Sequence, residues 1–290
     1  MIAMALDELV QRVLIEDLGD VGDLTSMTTL DEDESGTARI VAREDAVISG
    51  TSVVEATCRA VDVRLQVAWM RTDGDRVEPG DVVGEISGSA RSIVTAERTA
   101  LNFLGRLSAV ASSTARMVDL VDGTGVRIVD TRKTTPGLRA LEKAAVRHGG
   151  GVNHRMGLHD AILVKDNHIA LAGGIAAVHA RLAARCGHMV RVEVEVDSHH
   201  QLGELLALDA TRIAAGAAPV VHGVLLDNMT PEQVAEGVAM VRAHPVPVVV
   251  EVSGGVNHDT VRGLAEAGPD VISIGALTHS AGCIDFGLDL

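Results

Sequence analysis

The chain contains three lysines, Lys133, Lys143 and Lys165, all in one short stretch, against 22 arginines spread along its length. A compact, titratable ammonium is not interchangeable with a planar guanidinium. Lysines kept in so arginine-rich a background are therefore candidates for chemistry. From Arg127 to Lys165, eight Lys/Arg stand against Asp130, Glu142 and Asp160, a local balance of +5 in a chain of net charge −15. His148, His154 and His159 lie in the same span. A cationic island in an acidic chain predicts a small, highly anionic ligand; nucleic acid usually calls for a broadly basic domain. Arg132, Lys133, His154, Arg155 and Lys165 have the side chains for it, since arginine offers carboxylates a planar fork and lysine a point charge. Arg139, Lys143 and Arg147 recur every four residues on a predicted helix, the spacing of a solvated stripe.

Opposite charge comes from the acids that end apolar runs. Glu193 and Glu195 alternate with Val192, Val194 and Val196. That period puts both carboxylates on one face of a strand. Buried charge is costly unless paired or functional, so the two readings are a core salt bridge to a neighbouring Lys or Arg and a carboxylate facing a cationic transition state. Ser253-Gly254-Gly255 and Gly275-Ala276 each follow an apolar run. Glycine lets backbone N–H groups approach a phosphate closely, and a following helix N-terminus adds favourable potential. One such loop is as readily a simple turn. Two on successive final strands match the usual phosphate pocket of a (β/α) barrel.

The elements that must carry these groups differ between the two halves. Residues 1 to about 115 read as a mixed α+β domain. Leu6–Leu18 has helical apolar spacing and stops at Gly19. Ala38–Ser49, Val61–Met70 and Val82–Ser87 read as strands, with turns at Asp73-Gly74 and Pro79-Gly80. Helical spacing returns from Arg91 to about Val121. From about 116 to 290 short apolar runs alternate with helices: Val126–Val129, Ala161–Val164, Val190–Val196, Gly223–Leu226, Val246–Val252 and Val271–Ile274. Helices are expected at Gly137–His148, Ile175–Cys186, His200–Ala214, Pro231–Arg242 and Asp259–Glu266. This is the grammar of buried parallel strands with crossover helices. Polar groups end each run, which favours a barrel with its site at the C-terminal strand ends over an open doubly wound sheet. Six strands are legible, and the pattern does not locate a further one.

Bulk composition excludes several classes. Hydrophobic residues make up 47% of the chain, but Trp69, Phe103 and Phe286 are its aromatics. The core must be aliphatic, and stacking platforms for single strands are excluded. Cys58, Cys186 and Cys283 are too few and too scattered for a disulfide framework or a metal cluster, so a reducing cytoplasm is expected. The acids Asp7, Glu8, Glu16 and Asp17 argue against a signal peptide. No apolar run reaches the ~18 residues of a membrane span. The hairpin-like Asp73–Gly84 segment suggests a biotinyl or lipoyl carrier, but the first half has no lysine to modify.

Taken together, the motifs are similar to those of the quinolinate phosphoribosyltransferases (nicotinate-nucleotide pyrophosphorylases). The longest is Asp130-Thr131-Arg132-Lys133-Thr134-Thr135-Pro136-Gly137-Leu138-Arg139. With it go His148-Gly149-Gly150, Asn153-His154-Arg155 and Leu163-Val164-Lys165-Asp166-Asn167-His168. Further matches are Glu16-Asp17, Gly22-Asp23-Leu24-Thr25-Ser26, Glu97-Arg98-Thr99-Ala100-Leu101-Asn102, Glu193–Asp197, Leu226-Asp227-Asn228-Met229 and Ser253-Gly254-Gly255. The resemblance spans nearly the whole chain. It departs at Ser108-Ala109-Val110-Ala111, where the family often has Ser-Gly-Ile-Ala, and in a longer segment around Asp209–Val220.

The resemblance implies an N-terminal α/β sandwich over 1–115, a C-terminal α/β barrel over 116–290, and a homodimer whose active sites are completed by the other chain. Quinolinate and 5-phosphoribosyl 1-pyrophosphate with Mg²⁺ would be the substrates. Glu195 and Asp227 would face the ribose and help order Mg²⁺. Lys133 and Lys165 would neutralise pyrophosphate or the substrate carboxylates. Arg98, Arg132, His154 and Arg155 would orient quinolinate, and Ser253, Gly254, Gly255, Gly275 and Ala276 would bind phosphate. Two other readings stay open at this point. Lys165 at a strand end could be the nucleophile of a Schiff-base aldolase, and a transport-associated relative could keep the pocket for another anion.

Overall fold

Side-chain alternation places the strands, and tertiary pairing corrects their ends. The computed structural model describes residues 2–290, with side chains described from residue 6 onward. The chain forms two compact units. Residues up to Ala115, with 140–150 and 277–290, make the first; 116–139 and 151–276 make the second. The first unit thus runs to Ala115 and takes in two later segments.

In the first unit the helix Ile2–Leu18 stops at Gly19, which takes φ +50°. The strands are β1 (Ser35–Ala42), β2 (Ala46–Val47), β3 (Gln66–Trp69), β4 (Arg76–Val77) and β5 (Val82–Ser89). The expected strand Ala38–Ser49 is therefore two, broken where Arg43 N–H turns to the Asp285 carbonyl at 3.0 Å. The expected strand Val61–Met70 begins instead as the end of a helix, Thr51–Val61, which buries Val53, Val54, Thr57 and Cys58 on one face. The helix Ala90–Leu120 supplies the long apolar stripe against which Ile40, Ile48, Val54 and Ile86 pack through Ile93, Leu101 and Leu104. Asp23 caps the helix Leu24–Thr29 and accepts from Thr95, while Asp17 accepts from Thr99. The N-terminal motifs thus fasten the start of the chain to the long helix.

The second unit holds β6 (Arg127–Val129), β7 (Ile162–Val164), β8 (Val192–Val196), β9 (Gly223–Asp227), β10 (Val249–Ser253) and β11 (Val271–Ser273). All are parallel, in the order β6-β11-β10-β9-β8-β7. Each lies within the apolar run that predicted it, except that β9, β10 include the polar residues Asp227 and Ser253. The remaining piece of the barrel is a single residue. Val152 bridges to Val129 on β6, donating to the Ile128 carbonyl at 2.9 Å. Val192, Val194 and Val196 are buried on one face of β8, and Glu193 and Glu195 share the other. Helix Pro231–Arg242 starts as the sequence predicts, with a Thr230–Gln233 capping box and proline in the first turn. β12 (Phe286–Asp289) then returns to pair antiparallel with β1, Arg39 opposite Asp289.

The stripe reading of Arg139, Lys143 and Arg147 needs correction. Lys143 is completely buried, as is its neighbour Glu142, whose carboxylate accepts from Arg106 at 2.8 Å. On this helix, Arg139–His148, Arg147 is exposed and Arg139 half-buried, so the correction falls on Lys143. Among the described residues no helix is long and apolar enough to cross a membrane.

Candidate active site

The C-terminal ends of the second unit's strands converge on one charged constellation. After β6, buried Asp130 accepts the Asn153 amide at 2.6 Å and the His154 backbone N–H at 2.9 Å. One carboxylate thereby fixes the loop that carries His154 and Arg155. His154 Nε2 lies 3.1 Å from Glu193 Oε2 on β8 and 3.4 Å from Glu251 Oε2 on β10. Its Nδ1 accepts the Arg155 N–H at 2.7 Å. Gly223 on β9 leaves room beside this group, since a Cβ there would stand 3.2 Å from Glu193 Oε1.

Burial pushes the His154 pKa down, but the two carboxylates beside Nε2 outweigh it and hold a proton there. The Arg155 N–H opposes a second ring proton, because an Nδ1 that accepts a hydrogen bond has no place for one. Burial raises the Glu193 pKa; the His154 bond works against this and the Glu251 charge adds to it.

Arg155 donates to the Ala161 carbonyl at 3.0 Å. Its pKa is lowered by burial and by the neighbouring Arg132 charge. Two guanidiniums repel each other unless an anion joins them. Arg132 Nε is buried and has no hydrogen-bond partner among the described residues. A buried, unsatisfied donor is costly, and a ligand carboxylate would satisfy it. Arg139 supports this loop by donating to Thr134 Oγ1 at 3.0 Å and to the Arg132 carbonyl at 3.3 Å. Lys133 is exposed nearby along the chain, its N–H bonded to Thr131 Oγ1 at 3.0 Å.

Lys165, at the end of β7, forms an ion pair with Glu195 of β8. Asp227, at the end of β9, accepts from the Asn228 amide at 2.6 Å. Asn228 takes φ +54° and donates its N–H to the Ser253 carbonyl at 2.9 Å. Gly254 is required there, because a Cβ would fall 2.2 Å from Asn228 Oδ1. Gly255, at φ +62°, has open space where a Cβ would be. The helix expected at Asp259–Glu266 runs Val261–Glu266, some residues past Gly255, and the one after Gly275 has four residues, Ala276–His279. What these loops offer a phosphate is therefore main-chain N–H groups and space more than helix ends.

The second unit thus contains Arg132, Lys133, His154, Arg155, Lys165, Glu195, Asp227, Ser253, Gly254, Gly255, Gly275 and Ala276. Arg98 lies in the first unit, 66% exposed, with Glu97 Oε1 3.9 Å away. Asp130, Arg139 and Glu251 were not singled out from sequence as site residues. Glu251 ends an apolar run as Glu195 does, and that was the available signal.

The model of the quinolinate phosphoribosyl transferase N-terminal domain matches residues 23–108, and that of the C-terminal domain residues 110–289. The chain belongs to the quinolinate phosphoribosyltransferase family. It is 37% identical over 287 residues to a probable nicotinate-nucleotide pyrophosphorylase [carboxylating] of Bacillus subtilis, covering 99% of this chain and 94% of that one. It is 38% identical to the chloroplastic nicotinate-nucleotide pyrophosphorylase of Arabidopsis thaliana, covering 98% of this chain and 82% of the relative. The nicotinate-nucleotide pyrophosphorylase of Francisella tularensis superposes with a TM-score of 0.88 at 36% identity, over 98% of this chain and 95% of that one. For a quinolinate phosphoribosyltransferase, a cationic mouth beside a carboxylate wall is the charge layout the two substrate types require.

Proposed function

We infer that this chain transfers the phosphoribosyl group of 5-phosphoribosyl 1-pyrophosphate to the ring nitrogen of quinolinate. The products are nicotinate mononucleotide, pyrophosphate and CO₂, a step of NAD biosynthesis. The observation that carries the reading is the Arg132–Arg155 pair, with its buried unsatisfied Nε, set in the same unit as Lys165, Glu195 and Asp227. Two adjacent cations suit a dicarboxylate, and carboxylates suit a ribose that becomes cationic as its leaving group departs.

In this scheme Arg132 and Arg155 grip quinolinate and set its nitrogen toward the ribose. Glu195 and Asp227 face the ribose carbon, where positive charge develops. Lys133 and Lys165 meet the pyrophosphate or the second carboxylate, and the Ser253–Gly255 and Gly275–Ala276 loops take phosphate oxygens. Once alkylated, the ring nitrogen is cationic and can accept the electron pair left by CO₂. The protein then supplies chiefly position and charge.

The donor set also suits Mg²⁺, which keeps several waters and takes one or two carboxylates plus substrate phosphates. Glu195 and Asp227 are hard oxygen donors at adjacent strand ends, and each has one oxygen engaged by a neighbouring side chain. They would hold the ion directly or through the substrate, and it would supply neutralisation of pyrophosphate charge. A homodimer in which Arg98 serves the second chain's barrel completes the scheme; the exposure of Arg98 supports it. A cytoplasmic setting is supported by three free cysteines.

The aldolase reading is not favoured, because Lys165 is ion-paired with Glu195 and the chain's relatives are nicotinate-nucleotide pyrophosphorylases. The test is direct. Protein mixed with quinolinate, phosphoribosyl pyrophosphate and Mg²⁺ should yield nicotinate mononucleotide and CO₂. Absence of product from folded protein overturns the assignment.

A further inference from the structure

His154, Glu193 and Glu251 bring three potential metal-ligand atoms within 4.8 Å of one another. The arrangement around the ring speaks for a proton there and not for an ion. Nδ1 accepts the Arg155 N–H at 2.7 Å, so the ring proton sits on Nε2, between the carboxylates. A metal would need the Nε2 lone pair, and the Nδ1 bond would have to break to free it.

We propose that Glu193 and Glu251 are positioning residues, which orient the His154 ring so that its Nδ1 holds the main chain at Arg155 and aims that guanidinium at the acceptor. The proposal rests on the reading that Arg155 binds the acceptor.

The geometry divides the work among three strands. Asp130, following β6, takes the backbone N–H of His154. Glu193 on β8 and Glu251 on β10 take the ring Nε2–H. The ring then takes the backbone N–H of Arg155. Both N–H groups leading into Arg155 are therefore tied before any ligand arrives. Its guanidinium also donates to the Ala161 carbonyl at 3.0 Å. With both ring nitrogens engaged, contact between His154 and an acceptor is through ring carbons. Glu251 is 4% exposed and keeps Oε1 without a partner among the described residues, although a buried carboxylate oxygen would ordinarily be satisfied. A side chain placed at that cost in a barrel interior calls for a role, and orienting His154 is the contact it makes.

The first test needs no substrate. In the unaltered protein, ¹⁵N NMR of labelled histidine should show one ring near neutral pH with a protonated Nε2 and an unprotonated, hydrogen-bonded Nδ1. This resonance should move in Glu251→Gln and Glu193→Gln. A ring protonated on both nitrogens, or on Nδ1 alone, overturns the proposal. So does stoichiometric Mn²⁺ or Zn²⁺ uptake that shifts this ring in the chelator-treated protein.

The second test is kinetic, on variants whose circular dichroism is native. Each Gln variant should raise KM for quinolinate at least tenfold, with kcat and KM for phosphoribosyl pyrophosphate changed less than about threefold. A purely structural role would lower the active fraction, and so kcat, without moving KM. Unchanged quinolinate KM, or a loss confined to kcat, overturns the proposal. If the unaltered protein makes no nicotinate mononucleotide, the functional reading fails, and the NMR result still judges the His154 network.

Discussion

Lys165 and Glu195 neutralise each other across the ends of β7 and β8. The pairing makes the free protein's site less cationic than its sequence suggests, and holds Glu195 in place before substrate binds. Glu195→Gln keeps the shape and removes the charge. Turnover should fall by more than tenfold, with quinolinate affinity changed little, because that charge is used at the ribose as the bond breaks. Steady-state kinetics with both substrates varied checks this. A variant that binds quinolinate poorly but turns over normally would move Glu195 to the acceptor side. Borohydride with simple aldehydes should leave Lys165 unlabelled, as mass spectrometry would show.

Arg132→Ala and Arg155→Ala should each abolish measurable quinolinate binding while the fold persists. Losing one side of a charged, desolvated pair costs on the order of 2–5 kcal/mol. Calorimetric titration with quinolinate reads the loss directly, and normal affinity in both variants would remove them from the pocket. Nicotinic acid, with one carboxylate, should be a poor substrate for the same reason.

The strands of the second unit were legible because each is a short run rich in Val, Leu and Ile with polar residues at or just after its end. The motif around Arg132 and Lys133 was legible because it lies in a cationic stretch of an acidic chain and holds one of its three lysines. Burial of charge was not. Lys143 shares helical spacing with Arg139 and Arg147, yet it is fully buried, and spacing along one helix does not say what packs against it. Glu251 on β10 and Glu193 on β8 converge on His154, a contact made by three separate segments. The single-residue bridge at Val152 has no periodicity to detect. Thr51–Val61 starts with β-branched residues that have no clear helical signature, and tertiary burial of one face decides it.

Gly254→Ala should damage both stability and turnover. Its φ is +95°, and the added Cβ would meet Asn228 Oδ1 at 2.2 Å and Asn228 N at 2.9 Å. A non-glycine residue in such a conformation costs about 1–3 kcal/mol, before the clash is counted. Relief requires Asn228 to move, and Asp227 moves with it. Urea unfolding and kcat should both register the change. A wild-type melting curve with wild-type kcat would mean that this turn is not braced as described.

Cys58 is buried, and burial raises its pKa from 9.0 to about 11, with the Glu55 charge adding to the effect. A folded-state pKa above the unfolded one favours the protonated thiol in the native state. That stability is fully present below pH 9 and is lost as the pH rises through about 11. Alkylation at pH 8 should therefore reach exposed Cys283 and spare Cys58 until denaturant is added. Rapid labelling of Cys58 in the native protein would contradict the packing of its helix.

Arg98 poses the sharpest question about assembly. It is two-thirds exposed on the helix Ala90–Leu120, with the carboxylate of adjacent Glu97 3.9 Å away. A surface arginine so weakly engaged is free to grip an anion on another molecule. If it completes a second chain's site, a fork-shaped cation would reach across a two-fold interface to a carboxylate that the barrel's own residues leave uncovered. Mixing decides it. Arg98→Ala chains and Lys165→Ala chains should each be inactive alone. After random exchange between equal amounts, half the dimers are mixed, and each mixed dimer has one site with both defects and one with neither. Activity should return to about a quarter of the unaltered value, since one site in four is intact. Exchange followed by mass spectrometry, with no recovered activity, would place Arg98 in its own chain's chemistry or in none.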